Sequence, residues 1–103
     1  MAKAEIVPGP CGFKSIVTAV MNGKKCRISV ESECKAVVKL GGELTEVSPY
    51  EAIVNKPEIS IVLRKGKEFC SHAACPVPVG IIKAIEVAAG LAVPSDVSIK
   101  LTK

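Results

Sequence analysis

The chain has 103 residues, enough for one domain with a modest core, and 49% of them are apolar, which excludes a disordered protein. Its net charge of +4 is scattered in short groups (Lys24, Lys25, Arg27 and Arg64, Lys65, Lys67). With only Phe13, Phe69 and Tyr50 as aromatics, it lacks the basic face and stacking platforms of a nucleic-acid binder.

In chain order, Ile6-Val7-Pro8-Gly9-Pro10-Cys11-Gly12 reads as a short strand entering a rigid turn, since two prolines fix φ. Phe13 to Met21 predicts a second strand. Asn22-Gly23 then predicts a type I′ hairpin, whose central residues need φ > 0. Lys24 to Glu31 is the returning strand, with Cys26, Ile28 and Val30 on one face and Lys25, Arg27, Ser29 and Glu31 on the other.

Ser32 is expected to cap a helix with Glu33 in its first turn and Cys34 at its second position. Ala36, Val37, Val38 and Leu40 supply its apolar side, and Gly41-Gly42 its end. Ser48-Pro49-Tyr50-Glu51 has the form of a capping box, predicting a helix to about Asn55. Pro57 to Lys65 carries both a strand alternation (Ile59, Ile61, Leu63) and a helix-start signal, and helix is the expectation, broken at Gly66.

Cys75 and Pro76 are expected at the N-cap and first position of the clearest helix. Its run Val79, Ile81, Ile82, Ala84, Ile85, Val87, Ala88, Ala89 is apolar almost all round, as in a buried spine closed by Gly90 and Pro94. Asp96 to Thr102 alternates as a half-buried strand with Val97, Ile99 and Leu101 inward. The order gives a single α+β domain over residues 1–103. Its architecture is a small two-layer sandwich, a mostly antiparallel sheet with helices packed on one face.

The longest apolar stretch, Ala84 to Pro94, is far too short for a bilayer span, and Met1 to Pro8 does not read as an export signal. A cytoplasmic location without membrane contact is the expectation. Five cysteines in that setting point to thiol or metal chemistry, not to a disulfide framework. The aliphatic excess fits a homodimer with a covered face as well as it fits a well-filled monomer.

The chemistry gathers in Cys70-Ser71-His72-Ala73-Ala74-Cys75-Pro76-Val77-Pro78, which holds two cysteines and the only histidine. A thiolate at a helix N-cap is stabilised by free N–H groups and the helix dipole, which favours Cys75 and, in part, Cys34. Cys11 sits in a Pro-Gly loop able to wrap a metal, and His72 lies one tight turn before Cys75. Cys11, Cys34, His72 and Cys75 supply the four donors of a zinc site or an iron–sulfur cluster, in which Cys70 could replace His72. Cys26, alternating with Ile28 and Val30, reads as a small core residue.

Enzyme constellations are thin. No G-x-S-x-G, P-loop or dinucleotide fingerprint occurs, and Cys75 with His72 has no third orienting group. The reading is metal-ion or iron–sulfur binding. The alternatives are a cofactor-free interaction protein and a thiol redox protein using Cys75.

Pro8-Gly9-Pro10-Cys11-Gly12-Phe13, Cys34, His72-x2-Cys75-Pro76-Val77-Pro78, Ile82-Lys83-Ala84-Ile85-Glu86-Val87 and Asp96-Val97-Ser98-Ile99 resemble a family of small uncharacterised proteins of anaerobic bacteria and archaea. The resemblance covers nearly the whole chain and brings no assigned activity. It implies that Cys11, Cys34, His72 and Cys75 belong to the family pattern, with Cys26 and Cys70 peculiar to this chain. An anaerobic setting would suit oxygen-sensitive thiolates or an iron–sulfur cluster.

Overall fold

Period-two alternation in the first third of the chain builds a sheet that is apolar on one side only. The computed structural model describes residues 1–55 and 58–103. Four strands, β1 (Ala2–Ile6), β2 (Ser15–Asn22), β3 (Lys25–Ser32) and β4 (Glu46–Val47), pair antiparallel in the order β1-β2-β3-β4. Ala2 and Ile6, then Ser15, Val17 and Ala19, then Cys26 and Ile28 are buried on the inner face. Lys3, Glu5, Lys25, Arg27 and Ser29 meet solvent on the other, the usual division for an antiparallel sheet covered once.

Among the described residues, four helices lie on that side: α1 (Lys35–Glu43), α2 (Pro49–Ile53), α3 (Ile61–Phe69) and α4 (Val77–Ala88). Helix α1 lies on β3, α4 lies on β1 and β2, and α2 and α3 pack against α4. Leu40, Leu44, Val62, Ile81 and Ile85 are fully buried between the layers. Each such side chain contributes roughly 1.5–3 kcal/mol of burial, so α4, with three of its turns in the core, anchors the helical layer. The α+β class with helices on one face of an antiparallel sheet is therefore as expected. Among the described residues, no helix is long and apolar enough to cross a membrane.

The local differences have physical causes. The hairpin pairs Asn22 with Lys25, so Gly23 and Lys24 are its central residues, and only Gly23 has positive φ (66°). That is the type II′ pattern, with glycine first, and not the type I′ pattern expected for Asn22-Gly23. The expected strand at Ile6-Val7 begins earlier, at Ala2. The two-residue β4 carries no alternation long enough to reveal it. Helix α2 ends at Ile53, two residues short of expectation, and Ser48 makes no side-chain capping bond, so the capping box does not form.

Two glycines expected to end helices are instead inside them. A Cβ on Gly41 would stand 2.8 Å from Val30 Cβ, and one on Gly66 would stand 2.6 Å from Pro78 Cγ. Helix α1 approaches β3, and α3 approaches α4, too closely for any larger residue. The expected helix start at Pro57 lies outside the described residues. Helix α3 runs from Ile61, with the Ser60 hydroxyl accepting the Val62 N–H at 3.2 Å.

The largest departure is at the far end. Residues 96–102 form no strand, and Val97, Ile99 and Leu101 are 61%, 80% and 88% exposed. Alternation specifies which face of a strand is apolar, but a ladder also needs a partner edge. No described strand of the same chain pairs with this segment.

Candidate functional site

Three loops meet where the sheet and helices end together. The first is the β1–β2 connection. Gly12 N–H donates to the Gly9 carbonyl at 2.9 Å, closing a turn with Pro10 and Cys11 at its corners. Gly9 and Gly12 both have positive φ (87° and 72°), a conformation that suits glycine, and Cys11 is exposed at the tip.

The second is the passage from β3 into α1, where a short polar relay fixes Cys34. The buried Ser15 hydroxyl donates to Ser32 Oγ at 2.9 Å, and the same oxygen accepts the Cys34 N–H at 3.1 Å. Cys34 is thereby held extended (φ −78°, ψ 116°) as the N-cap of α1, and its carbonyl accepts the Val38 N–H at 3.0 Å. The sequence placed Cys34 inside the helix and Ser32 as its cap. Ser32 instead ends the strand, because its hydroxyl is committed across the sheet to Ser15.

The third loop joins α3 to α4. Cys70 is the C-cap of α3, its N–H donating to the Gly66 carbonyl at 2.8 Å. The Cys75 N–H donates to the His72 carbonyl at 3.2 Å, folding the intervening residues into a turn. Pro76, not Cys75, is the N-cap of α4. Proline's fixed φ lets Pro76 take a near-helical conformation (φ −80°, ψ −6°), which moves Cys75 one residue outside the helix.

Burial pushes the Cys70 thiol up to about 12, with further contributions from the charge and hydrogen bonding of Cys75 beside it and from the charge of Cys34. Three thiols from two loops thus share one neighbourhood. Cys26 is elsewhere: fully buried in the core between β2 and the helices, it has its thiol pushed up by burial alone in the main.

Together the loops line a cleft of about 400 Å³, with Pro8, Pro10, Cys11 and Phe13 from the first, Cys34, Ala36 and Val37 from the second, and residues 70–77 except Ala73 from the third. Every residue expected as a ligand, Cys11, Cys34, His72 and Cys75, is on this lining, and so is Cys70. The remaining lining is Ser71 and apolar side chains, without Lys, Arg, Asp or Glu. The donors surround the space but do not meet at a point. Among the described residues, no three His, Cys, Asp or Glu side chains are grouped closely enough to hold a metal ion. Cys70, expected only as a substitute for His72, stands beside Cys75 because the His72–Cys75 turn folds the loop back toward the end of α3.

Residues 2–101 match a protein-family model described as a family of unknown function, DUF6951. The chain belongs to that family. No curated protein and no solved structure gives a significant match. The DUF6951 match spans all eight elements, the three loops of the cleft and the exposed segment after α4 as far as residue 101.

Proposed function

We propose that the cleft binds a thiolate-ligated metal centre, an iron–sulfur cluster in preference to a single zinc ion. One observation carries the reading: the ionisable groups lining the cleft are four thiols and one imidazole, set in apolar surroundings. Several soft sulfur donors around one cleft, with no lysine or arginine in its lining, suit a cation that displaces their protons on binding. Soft iron or zinc matches that donor set. A cuboidal cluster takes four cysteines, the number this lining holds, and a cleft of about 400 Å³ has room for a polynuclear core.

Cys34 and Cys75 are the anchoring ligands in this account. Cys70 joins them by losing its proton on binding, and Cys11 or His72 completes the set from the opposite loops. When bound, an iron–sulfur cluster supplies one-electron transfer or a Lewis-acidic iron. The protein's part is to hold the thiols and to set the polarity around sulfur with the apolar side chains of the lining. Protein purified without oxygen should carry iron and inorganic sulfide in stoichiometric amounts with visible charge-transfer absorption. Less than about a tenth of an equivalent of any transition metal would refute the reading, since a four-ligand site retains its metal.

A second reading is favoured by the adjacency of Cys70 and Cys75. Their thiols would join as a disulfide, passing two electrons and two protons to a disulfide-bearing acceptor that leaves as a dithiol. Metal-free protein showing a reversible Cys70–Cys75 disulfide by peptide mapping would favour it over the first.

A further inference from the structure

We infer that the segment after α4 is a β-strand donated to a second copy of this chain, where Val97 to Leu101 extends the sheet along the free edge of β1. The segment has the sequence of a strand and the surroundings of none. Its apolar residues alternate at Val97, Ile99 and Leu101, yet every residue from Gly90 to Lys103 is exposed. A single chain leaves both halves of the match unused. The sheet order places β1 at an edge, with β2 its sole partner, so one side of its backbone carries unpaired N–H and C=O groups. The opposite edge, β4, has two residues and offers little ladder.

Length and facing agree. β1 spans Ala2–Ile6, five residues, as does Val97 to Leu101. Centring Ile99 on Ala4, in either direction, puts Val97, Ile99 and Leu101 on the inner face with Ala2, Ala4 and Ile6. There β1 presents the small side chains of Ala2 and Ala4, and three branched side chains would extend the apolar face beyond them. Ser98 and Lys100 then lie on the wet face with Lys3 and Glu5. Reciprocal exchange uses one patch and one strand from each copy, so the contact closes as a two-fold dimer and leaves no open edge of this kind. The inference is independent of the metal reading.

Sedimentation of the full chain, combined with amide hydrogen exchange, tests it. At about 100 µM, a concentration that saturates a micromolar dimer, the wild-type chain should sediment as a dimer. Exchange should be slowed about a hundredfold or more over both 2–6 and 97–101. The double variant Ser98→Pro/Ile99→Pro, which removes a ladder donor in whichever direction the strand pairs, should be monomeric with unchanged far-UV dichroism and fast exchange in both segments. Leu101→Asp should weaken the dimer while keeping the donor. A wild-type monomer with fast exchange at 97–101 overturns the inference. So does a monomer with slow exchange there, which would mean docking on the chain's own edge, and so does a dimer that Ser98→Pro/Ile99→Pro leaves intact.

Discussion

Cys26 and Cys75 are the same residue type in the same small domain, and their surroundings give them different work. Cys26 projects from the inner face of β3 between Met21 of β2 and Val47 of β4, where it is fully buried under the helical layer. Cys75 stands outside the first turn of α4, beside Cys70 and with Cys34 on the lining of a cleft of about 400 Å³. A thiol inside a sheet core is a small apolar plug. The same group between loop ends is a donor with other donors near it. What separates them is the space each faces: Cys26 points into the closed layer between sheet and helices, and Cys75 lies in a loop beside an open cleft.

That contrast breaks most visibly if the cleft thiols are removed. Cys75→Ser or Cys34→Ser should lower the metal content of anaerobically purified protein by about tenfold or more, more than loss of an outer-shell partner. Cys26→Ser should leave metal content unchanged while costing about 1–3 kcal/mol in denaturant unfolding, because it buries a hydroxyl with stronger hydrogen-bonding demands than a thiol. If Cys26→Ser emptied the cleft, the division between core and site would be wrong. Next in size is Ser15→Ala, which deletes the donor to Ser32 and loosens the cap at Cys34. It should cost about 0.5–1.5 kcal/mol and weaken metal retention, an effect visible in competition with a chelator.

The pH dependence of the metal-free protein sharpens the comparison. The Cys70 thiol is raised from 9.0 to about 12 in the folded chain, so the folded state keeps a proton that the unfolded state releases first. Stability should therefore be unaffected by this group below about pH 9 and fall as pH rises from there toward 12. Subtracting the profile of Cys70→Ser from that of the wild type should isolate this slope. A flat difference would show that Cys70 is not held beside Cys75 and Cys34. The smallest effect expected is at the surface. Glu5→Gln breaks an ion pair with Lys14 (3.2 Å) between side chains more than half exposed, and should change stability by less than about 1 kcal/mol.

The β2–β3 hairpin was the most legible part of the chain, since alternation at Cys26, Ile28 and Val30 is a local property that tertiary packing had only to accept. Helix α4 was legible for the same reason, its apolar run being longer than any strand. The same alternation misled at Val97, Ile99 and Leu101, which find no partner edge among the described strands of their own chain. The glycines were misleading. Gly41 and Gly66 look like helix stops in sequence, and only the packing of Val30 and Pro78 against them shows that they are points of close approach. The candidate ligands could be named from residue type, but Cys11, Cys34 and Cys75 come from loops far apart in sequence. Their sharing of one cleft depends on strand register and helix order, which no local pattern encodes. Cap positions also escaped, because the Ser32 hydroxyl is claimed by Ser15 from a neighbouring strand.

Metal K-edge absorption spectroscopy of the full chain, purified and measured without oxygen, tests the central claim most directly. A thiolate-bound centre in this cleft predicts a first shell dominated by sulfur, with a metal–metal vector if the core is polynuclear, and its loss in Cys75→Ser. A first shell of oxygen and nitrogen alone, or a spectrum that Cys75→Ser leaves unchanged, would contradict the account.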